Sequence, residues 1–485
     1  MIGGVSAAPA FALPRRARLL PELVARHRGD GFLTPASVEA VAREVGVPAA
    51  EAWEAARSFH EFRFDALGGE RACAGIACAL HPGFHEPELP AGCLFRCYAP
   101  PASGDEQPFP AEMVRQAGPL LGPADRTWTG LERARRLGPA AVLDAIEEAG
   151  LRGRGGAYFP TARKWRAALR HGAPLALVMN AEEGEPGVFK DRALLCLRPG
   201  RVVEGLAIAM EALRPAVTIA FINGEADPAA EAFERALADS PIAGQVLLYR
   251  GAGGYVLGEE TALLNAIEGR RAVPRPRPPL PVDSGLFGMP TAVNNVETLA
   301  AVAVILREGP AAFRAFGASD APGTRILSLS GRVERPGVYE VPLGTPLAEV
   351  LDRAGAPAPE GLAVLCGGPS GGFLPGAMSD QPVLPGRYHP TGAMLGAGGV
   401  VVLEAPGDIR RAALTMAAFN AEQSCGKCTP CREGTPLLLE ALGGNPAELT
   451  EDLLDAIQLA SLCGLGQMAT GPVRSALAFW PEVFS

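Results

Sequence analysis

Eight of the ten cysteines fall into two close groups, and this grouping constrains the chain more than any other feature. Ser424-Cys425-Gly426-Lys427-Cys428-Thr429-Pro430-Cys431 sets three thiols three residues apart. On a tight loop ahead of a helix, such a run can present three thiolates to three corners of one iron–sulfur cube. Cys463, in SLCGLGQ, is the downstream candidate for the fourth corner, far enough along for a helix out and a helix back. Zinc competes, because four thiolates also suit tetrahedral Zn²⁺. The ferredoxin-like repeat favours a [4Fe–4S] cluster. The other group is Cys73-x4-Cys78 with Cys93-x3-Cys97. The N-terminus shows no basic segment ahead of an apolar run, so a secretory signal is not expected and a cytoplasmic location is. Grouped cysteines there predict metal or cluster ligands rather than disulfides. Cys196 and Cys366, alone among apolar residues, read as small core residues.

A chain of 485 residues has room for two to four domains. With 48% hydrophobic and 20% charged residues, neither wholesale disorder nor coiled coil fits. A net charge of −9 argues against nucleic acid as a partner. No run of about 18–20 apolar residues is present to insert into a membrane. Only three of the 44 basic residues are lysine, namely Lys164, Lys190 and Lys427. Where arginine is the default cation, lysine survives where a compact ammonium is needed, or as residue of genome bias.

The pattern predicts a multidomain α/β protein. Residues 1–65 read as an amphipathic helical segment, with Thr34 or Ser37 as a helix N-cap. Residues 66–103 carry the first cysteines, and 104–128 read as a polar, Pro-rich linker. Over 129–320, helical patterns alternate with short apolar runs, the signature of an α/β layer architecture. Residues 321–400 predict a small α+β domain with a helix near 347–351, and 401–485 a helical domain holding the CxxCxxC run.

Three blocks in the α/β region carry chemistry. GLRGRGGAYFPTARKW at 150–165 is a glycine-rich turn opening a helix, where backbone N–H groups can approach a phosphate; a purely structural turn is the plainer reading. NAEEGEPGVFKDR at 180–192 puts three carboxylates within four residues, normally a solvated face. It follows the apolar run LALVMN, however, and so stands at a strand's carboxyl end, where α/β folds place ligands. GAGGYVLGEETALLNAIEG and SGLFGMPTAVNNVETLA lie within 251–300; ETALLNAIEG by itself reads as an ordinary amphipathic helix, with Glu259 and Glu260 complementing its dipole.

Together with SCGKCTPCREG and SLCGLGQ, these blocks resemble the NADH-binding flavin subunit of respiratory complex I. The same type forms the beta, or diaphorase, subunit of NAD-dependent formate dehydrogenases and NAD-reducing hydrogenases. The first block is similar to the family's GLRGRGGAGFPTGLKW, and the second to NADEGEPGTFKDR. The resemblance implies FMN, NAD(H) and a [4Fe–4S] cluster on Cys425, Cys428, Cys431 and Cys463. It assigns Gly153, Arg154, Gly155, Gly156, Phe159 and Lys164 to the flavin loop, and Asn180 and Glu182 to the flavin. Glu183 falls on the nicotinamide side and Glu185 among the cofactor-binding residues, Tyr255, Gly258, Glu259 and Glu260 line flavin and nicotinamide, and Asn294 and Asn295 hold the flavin from the far side. Glu183 and Glu260 are implied to position the nicotinamide, and no side chain need act as acid or base in the hydride step. Tyr158 departs from a family glycine, Ala167 and Leu280 from aromatics that can sandwich adenine, and Arg277 from a usual lysine.

Residues 66–103 resemble a truncated form of the thioredoxin-like [2Fe–2S] subunit that partners the flavin subunit, here fused in front of it. Cys73, Cys78, Cys93 and Cys97 are then ligands of a [2Fe–2S] cluster, with zinc or an empty site as alternatives. The α+β domain resembles the family's ubiquitin-like SLBB module. The fused N-terminus fits formate dehydrogenase or hydrogenase diaphorase units better than complex I, and by analogy the beta subunit of a formate dehydrogenase, whose large partner subunit holds molybdenum or tungsten, is expected. A flavin subunit of complex I or of a hydrogenase is the alternative, and a degenerate electron-transfer scaffold without flavin is the alternative of another class.

Overall fold

The computed structural model describes residues 11–65, 72–85, 90–91, 93–104, 107–123, 128–172, 174–386 and 392–484. The chain divides into two compact units, Met1–Leu67 with Gly122–Glu183 and Leu194–Ala315, and Gly68–Leu121 with Gly184–Ala193 and Phe316–Ser485. Among the described residues no helix is long and apolar enough to cross a membrane.

The first unit is built on a four-stranded sheet in the order Leu247–Arg250, Val217–Ile222, Ala176–Ala181, Thr291–Asn295, every pair parallel. The two inner strands, Val217–Ile222 and Ala176–Ala181, are buried almost throughout on both faces and read as near-continuous apolar runs. One face carries Ala176, Val178, Val217, Ile219, Phe221 and Val293, packed with Leu19, Leu20, Leu23, Val38 and Val41 of the N-terminal helices Leu19–Asp30 and Pro35–Val45. The segment expected as a separate helical piece therefore shares its core with the α/β domain. Thr34 caps its second helix as expected, and Ser37 closes a reciprocal capping box at 3.1 and 2.8 Å. Elsewhere in the unit, helix Pro199–Leu213 packs on Val296–Glu308 so closely that a Cβ at Gly205 would lie 1.9 Å from the Leu299 carbonyl oxygen.

The second unit contains a six-stranded mixed sheet in the order Gly372–Pro375, Leu362–Cys366, Gly399–Glu404, Thr324–Gly331, Gly337–Pro342, Val114–Gln116. Residues alternate between its faces. Leu327, Leu329, Val364 and Val402 pack on helix Leu347–Arg353, which falls where the sequence predicts a helix. Ala363, Leu365, Val401 and Leu403 pack on the C-terminal helices Ile409–Glu422, Thr429–Gly443 and Thr470–Phe479. Ile76, from the short helix Ile76–Ala79, joins that same core.

The expected linker at 104–128 is corrected by the sheet. Val114–Gln116 pairs in parallel with Gly337–Pro342. The buried Glu340 carboxylate then accepts hydrogen bonds from the N–H groups of Gly118 (2.8 Å), Leu120 (2.9 Å) and Leu121 (2.8 Å) and from the Thr324 hydroxyl (2.6 Å). A three-residue strand flanked by prolines is too short to show a period of two, so its pairing is invisible in the sequence. Residues 105–106 and 124–127 of that stretch lie outside the described residues. Cys366 is fully buried, and desolvation pushes its thiol up to about 12, as suits a core residue; Cys196 is only partly buried.

Candidate functional site

The carboxyl ends of the parallel strands in the first unit gather three predicted asparagines. Asn180 lies in register with Asn295, and Met179 with Asn294. Asn180 Nδ2 donates to the Gly258 carbonyl at 3.1 Å, and its Oδ1 accepts from the Glu182 N–H at 3.0 Å. Asn294 Oδ1 accepts from Trp165 Nε1 at 3.0 Å, while its Nδ2 is buried without a hydrogen-bond partner. A buried amide donor in that state costs free energy unless a ligand takes it, so its position suits a bound polar group. Asn295 Oδ1 caps helix Val296–Glu308 through the Glu297 N–H at 3.0 Å.

The glycine loop closes on itself beside these asparagines. Gly153 N–H donates to the Phe159 carbonyl at 2.9 Å, and Arg152 bridges Pro160. The Arg154 N–H is anchored on Thr298 Oγ1 at 2.9 Å, and a Cβ at Gly155 would meet Asn295 at 3.2 Å. Helix Thr161–Leu169 follows and carries Lys164 inward, where its ammonium donates to the Val293 carbonyl. Burial lowers the Lys164 pKa and the Glu260 charge opposes that shift; burial raises the Glu260 pKa, opposed by Lys164. Tyr158 takes φ +52°, a conformation that disfavours any residue with a Cβ. Its ring lies 5.3 Å from the Arg152 guanidinium and 5.5 Å from that of Arg154. Phe159 is half exposed with Arg163 over its ring at 5.7 Å, and Leu280 is also exposed.

Glu182 and Glu183 are buried, so the solvated-face reading of the acidic run does not hold. Glu182 Oε1 accepts from Asn223 Nδ2 at 2.6 Å. Tyr255–Gly258 forms a single turn into helix Glu260–Ile267. Glu259 is that helix's N-cap, accepting from the N–H groups of Thr261 (3.0 Å) and Ala262 (2.9 Å), which bears out the dipole reading for it. Arg277 pairs with Glu259 and reaches Glu260 at 3.3 Å. Glu185 and Lys190 belong to the second unit; Lys190 is buried and pairs with Asp191 at 2.7 Å. Lys427, by contrast, is exposed.

Sequence reasoning missed Asn223 and the pair His60 and Glu61. The Glu61 N–H donates to the Ala252 carbonyl at 2.9 Å, and its side chain fills the space a Cβ at Gly253 (2.5 Å) or Gly224 (2.2 Å) would need. The N-terminal segment thus reaches under the GAGG turn at 251–254. The glycines were the legible half of this contact, and a signal for the acid that fills them was absent.

Both cysteine quartets lie in the second unit. In the C-terminal one, Cys428 is the N-cap of Thr429–Gly443, Cys431 lies in its first turn, and Cys463 is the N-cap of Gly464–Met468. Gly426, at φ +74°, turns the loop, which Arg432 fastens through the Gly426 carbonyl at 2.9 Å. The Leu462 N–H points at Cys428 Sγ at 3.5 Å, bringing the Cys463 segment to the run, and burial pushes the Cys431 thiol up to about 11. In the N-terminal quartet all four thiols are buried. Hydrogen bonding from Cys78 and Cys93 holds Cys73 down to about 3, and the same bond with burial raises Cys78. Cys93 and Cys97 lie 3.9 Å apart. Among the described residues no three His, Cys, Asp or Glu side chains converge as they would around one metal ion.

The comparisons with known proteins define the class. Residues 146–304 match the Nuo51 FMN-binding domain, 326–374 the SLBB domain, and 411–485 the NADH-ubiquinone oxidoreductase-F iron-sulfur binding region. The chain is therefore a flavin- and iron–sulfur-binding oxidoreductase subunit of the NADH dehydrogenase type. It is 38% identical over 396 residues to the F subunit of the NADH-quinone oxidoreductase of Streptomyces coelicolor, covering 74% of this chain and 88% of that one. Against its counterpart in Aquifex aeolicus the identity is 37% over 381 residues, with the same coverages. The structure of an NAD⁺-reducing [NiFe]-hydrogenase in the H₂-reduced state matches with a TM-score of 0.84 at 30% identity, over 97% of this chain and 93% of that one. The chain belongs to the family of NADH-quinone oxidoreductase F subunits.

Proposed function

We propose that this chain is a diaphorase subunit that exchanges a hydride with NAD(H) and passes electrons singly to iron–sulfur clusters. The observation that carries the reading is the buried, unpartnered Asn294 Nδ2 beside a closed glycine loop and the inward-facing Lys164. FMN, when bound, supplies the exchange with nicotinamide and the division of two electrons into single ones. Asn294 offers the flavin a donor already desolvated. The N–H groups of Gly155 and Gly156 suit its phosphate, held in place by the loop that Gly153 and Arg154 close, with the Arg154 side chain, Phe159 and Lys164 completing that side. Asn180, Glu182, Tyr255 and Gly258 shape the flavin pocket, and Glu183 and Glu260 orient the nicotinamide. Glu259 fixes the helix start that carries Glu260. Asn295 holds the strand end against the loop. Cys425, Cys428, Cys431 and Cys463 hold the [4Fe–4S] cluster through which electrons leave.

Cys73, Cys78, Cys93 and Cys97 hold a [2Fe–2S] cluster in this reading. One observation supports it: the backbone N–H groups of Gly75, Leu94, Phe95 and Ala102 aim at the sulfurs. Free buried thiols suit a reducing compartment, the cytoplasm. The partner is a large catalytic subunit, and the fused N-terminus favours that of a molybdenum or tungsten formate dehydrogenase. A hydrogenase partner is the second reading, favoured by the whole-length match to an NAD⁺-reducing hydrogenase structure. Purified chain should show a flavin absorption spectrum and NADH-driven dye reduction. A colourless, inactive chain would return it to the scaffold reading. Molybdenum or tungsten in the co-purifying large subunit supports formate; nickel overturns it for hydrogen.

A further inference from the structure

Between Cys93 and Cys97 stands Phe95, a bulky residue held at φ +56° with its side chain buried. An aromatic residue in the left-handed region is an outlier that persists only where its surroundings over-determine it. Here the surroundings are Arg192, whose guanidinium carbon lies 3.9 Å from the centre of the Phe95 ring, itself almost fully buried. That is the closest cation–ring contact among the described residues, in a desolvated setting where such contacts are strongest. Arg192 ends the NAEEGEPGVFKDR block, and its neighbour Phe189 packs on Tyr98 at 5.3 Å and stacks on Phe109 at 6.0 Å. Phe189 is in turn tied to the sheet by its N–H on Ser328 Oγ at 2.9 Å. The loop 93–97 is thus gripped at Phe95 and at Tyr98 by one short segment of the flavin block.

We propose that Arg192, stacked on Phe95, positions the 93–97 loop and raises the reduction potential of the N-terminal cluster. The inference rests on the [2Fe–2S] reading of Cys73, Cys78, Cys93 and Cys97. Its physics is direct. Reduction adds a negative charge to the cluster, and a buried guanidinium beside the ligand loop favours the more negative state. The ring sets where the charge sits, and the fixed backbone aims the Phe95 N–H at Cys93 Sγ, 3.3 Å away. Hydrogen bonds to cluster sulfurs act in the same direction.

The test is an EPR-monitored redox titration of the full chain with its cofactors loaded. Arg192→Leu should lower the midpoint of the second, N-terminal signal by about tenfold in the reduction equilibrium, about 59 mV for one electron, while the [4Fe–4S] midpoint stays put. Phe95→Leu should lower it by less, and Phe95→Tyr, which keeps the ring, should hold the parent value. If Arg192→Leu does not load the cluster, the Phe95→Leu and Phe95→Tyr pair still decides. Equal midpoints in that pair, or a parent midpoint in Arg192→Leu, overturn the proposal. A parent protein with no second iron–sulfur signal overturns the cluster reading beneath it, which is a separate failure.

Discussion

Cys428 and Cys463 stand at the N-caps of helices, and Cys431 lies in a first turn, so three of the C-terminal thiols are set by regular structure. The N-terminal thiols have little such support. Around them the described elements are two paired strands of two residues each, Ala72–Cys73 and Pro90–Ala91, and the single-turn helix Ile76–Ala79. What holds them is the set of N–H groups of Gly75, Leu94, Phe95 and Ala102 aimed at their sulfurs, the thiols' bonds to one another, and the grip on Phe95. In the reading proposed above, one quartet is a scaffold that would receive a cluster, and the other a segment whose order would depend on its cluster, as in small metal-dependent domains.

The largest effect expected from this contrast is at Cys463. Cys463→Ala should abolish nearly all of the [4Fe–4S] signal, yet the helices should survive, with a loss of stability no greater than about 2 kcal/mol, as for other single changes outside a packed core. EPR and thermal unfolding read the two separately. Collapse of the C-terminal helices in this variant would break the contrast, because it would make that quartet metal-dependent as well.

Removing iron from the parent protein is the converse experiment. Chelation should strip hydrogen-exchange protection from amides at 72–80 and 93–103, while Ile409–Glu422 and Thr470–Phe479 keep theirs. Equal protection of both regions before and after would show that the N-terminal segment stands without its cluster.

Asn294→Ala acts outside both quartets and should leave them loaded. It removes the donor proposed for the flavin and strands Trp165 Nε1, so on that reading flavin affinity should drop about tenfold, from about 1.4 kcal/mol for a lost buried hydrogen bond. Flavin release on dilution, followed by fluorescence, measures it. Unchanged retention would mean that the buried Nδ2 does not face the flavin.

The C-terminal cysteine run and Asn180 were legible because their signals are local. A CxxCxxC spacing and an apolar run ending in Asn180 each carry their geometry within a few residues. The Glu61 contact, the Arg192–Phe95 stack and the strand Val114–Gln116 were not, since each joins residues far apart in the chain. Phe95 in particular reads as an ordinary apolar residue until its backbone angle is known. In the acidic run at 182–185 two local signals compete, a solvated face and a strand's carboxyl end; the second prevails, and its glutamates are buried.

Glu340→Gln tests how the N-terminal quartet's segment is tied to the rest of its unit. After residue 104 the chain reaches Val114–Gln116 and is then fastened by Glu340, whose two carboxylate oxygens face only donors. Glu340→Gln turns one oxygen into an NH₂ that must face an N–H or hydroxyl, and should cost about 1–3 kcal/mol. A pH signature separates this from a packing defect. Burial raises the Glu340 pKa above its ordinary 4.5, with the hydrogen bonds from Thr324, Leu120, Leu121 and Gly118 opposing. A raised value means the folded state holds the proton more tightly than the unfolded state. The stabilisation from protonation is therefore fully present below about 4.5 and is lost as pH rises through the folded value. Glu340→Gln lacks that loss, so its deficit in urea midpoint against the parent should narrow as pH rises from 4.5 to 7. Parallel curves would mean that Glu340 stays ionised throughout, held so by its four donors.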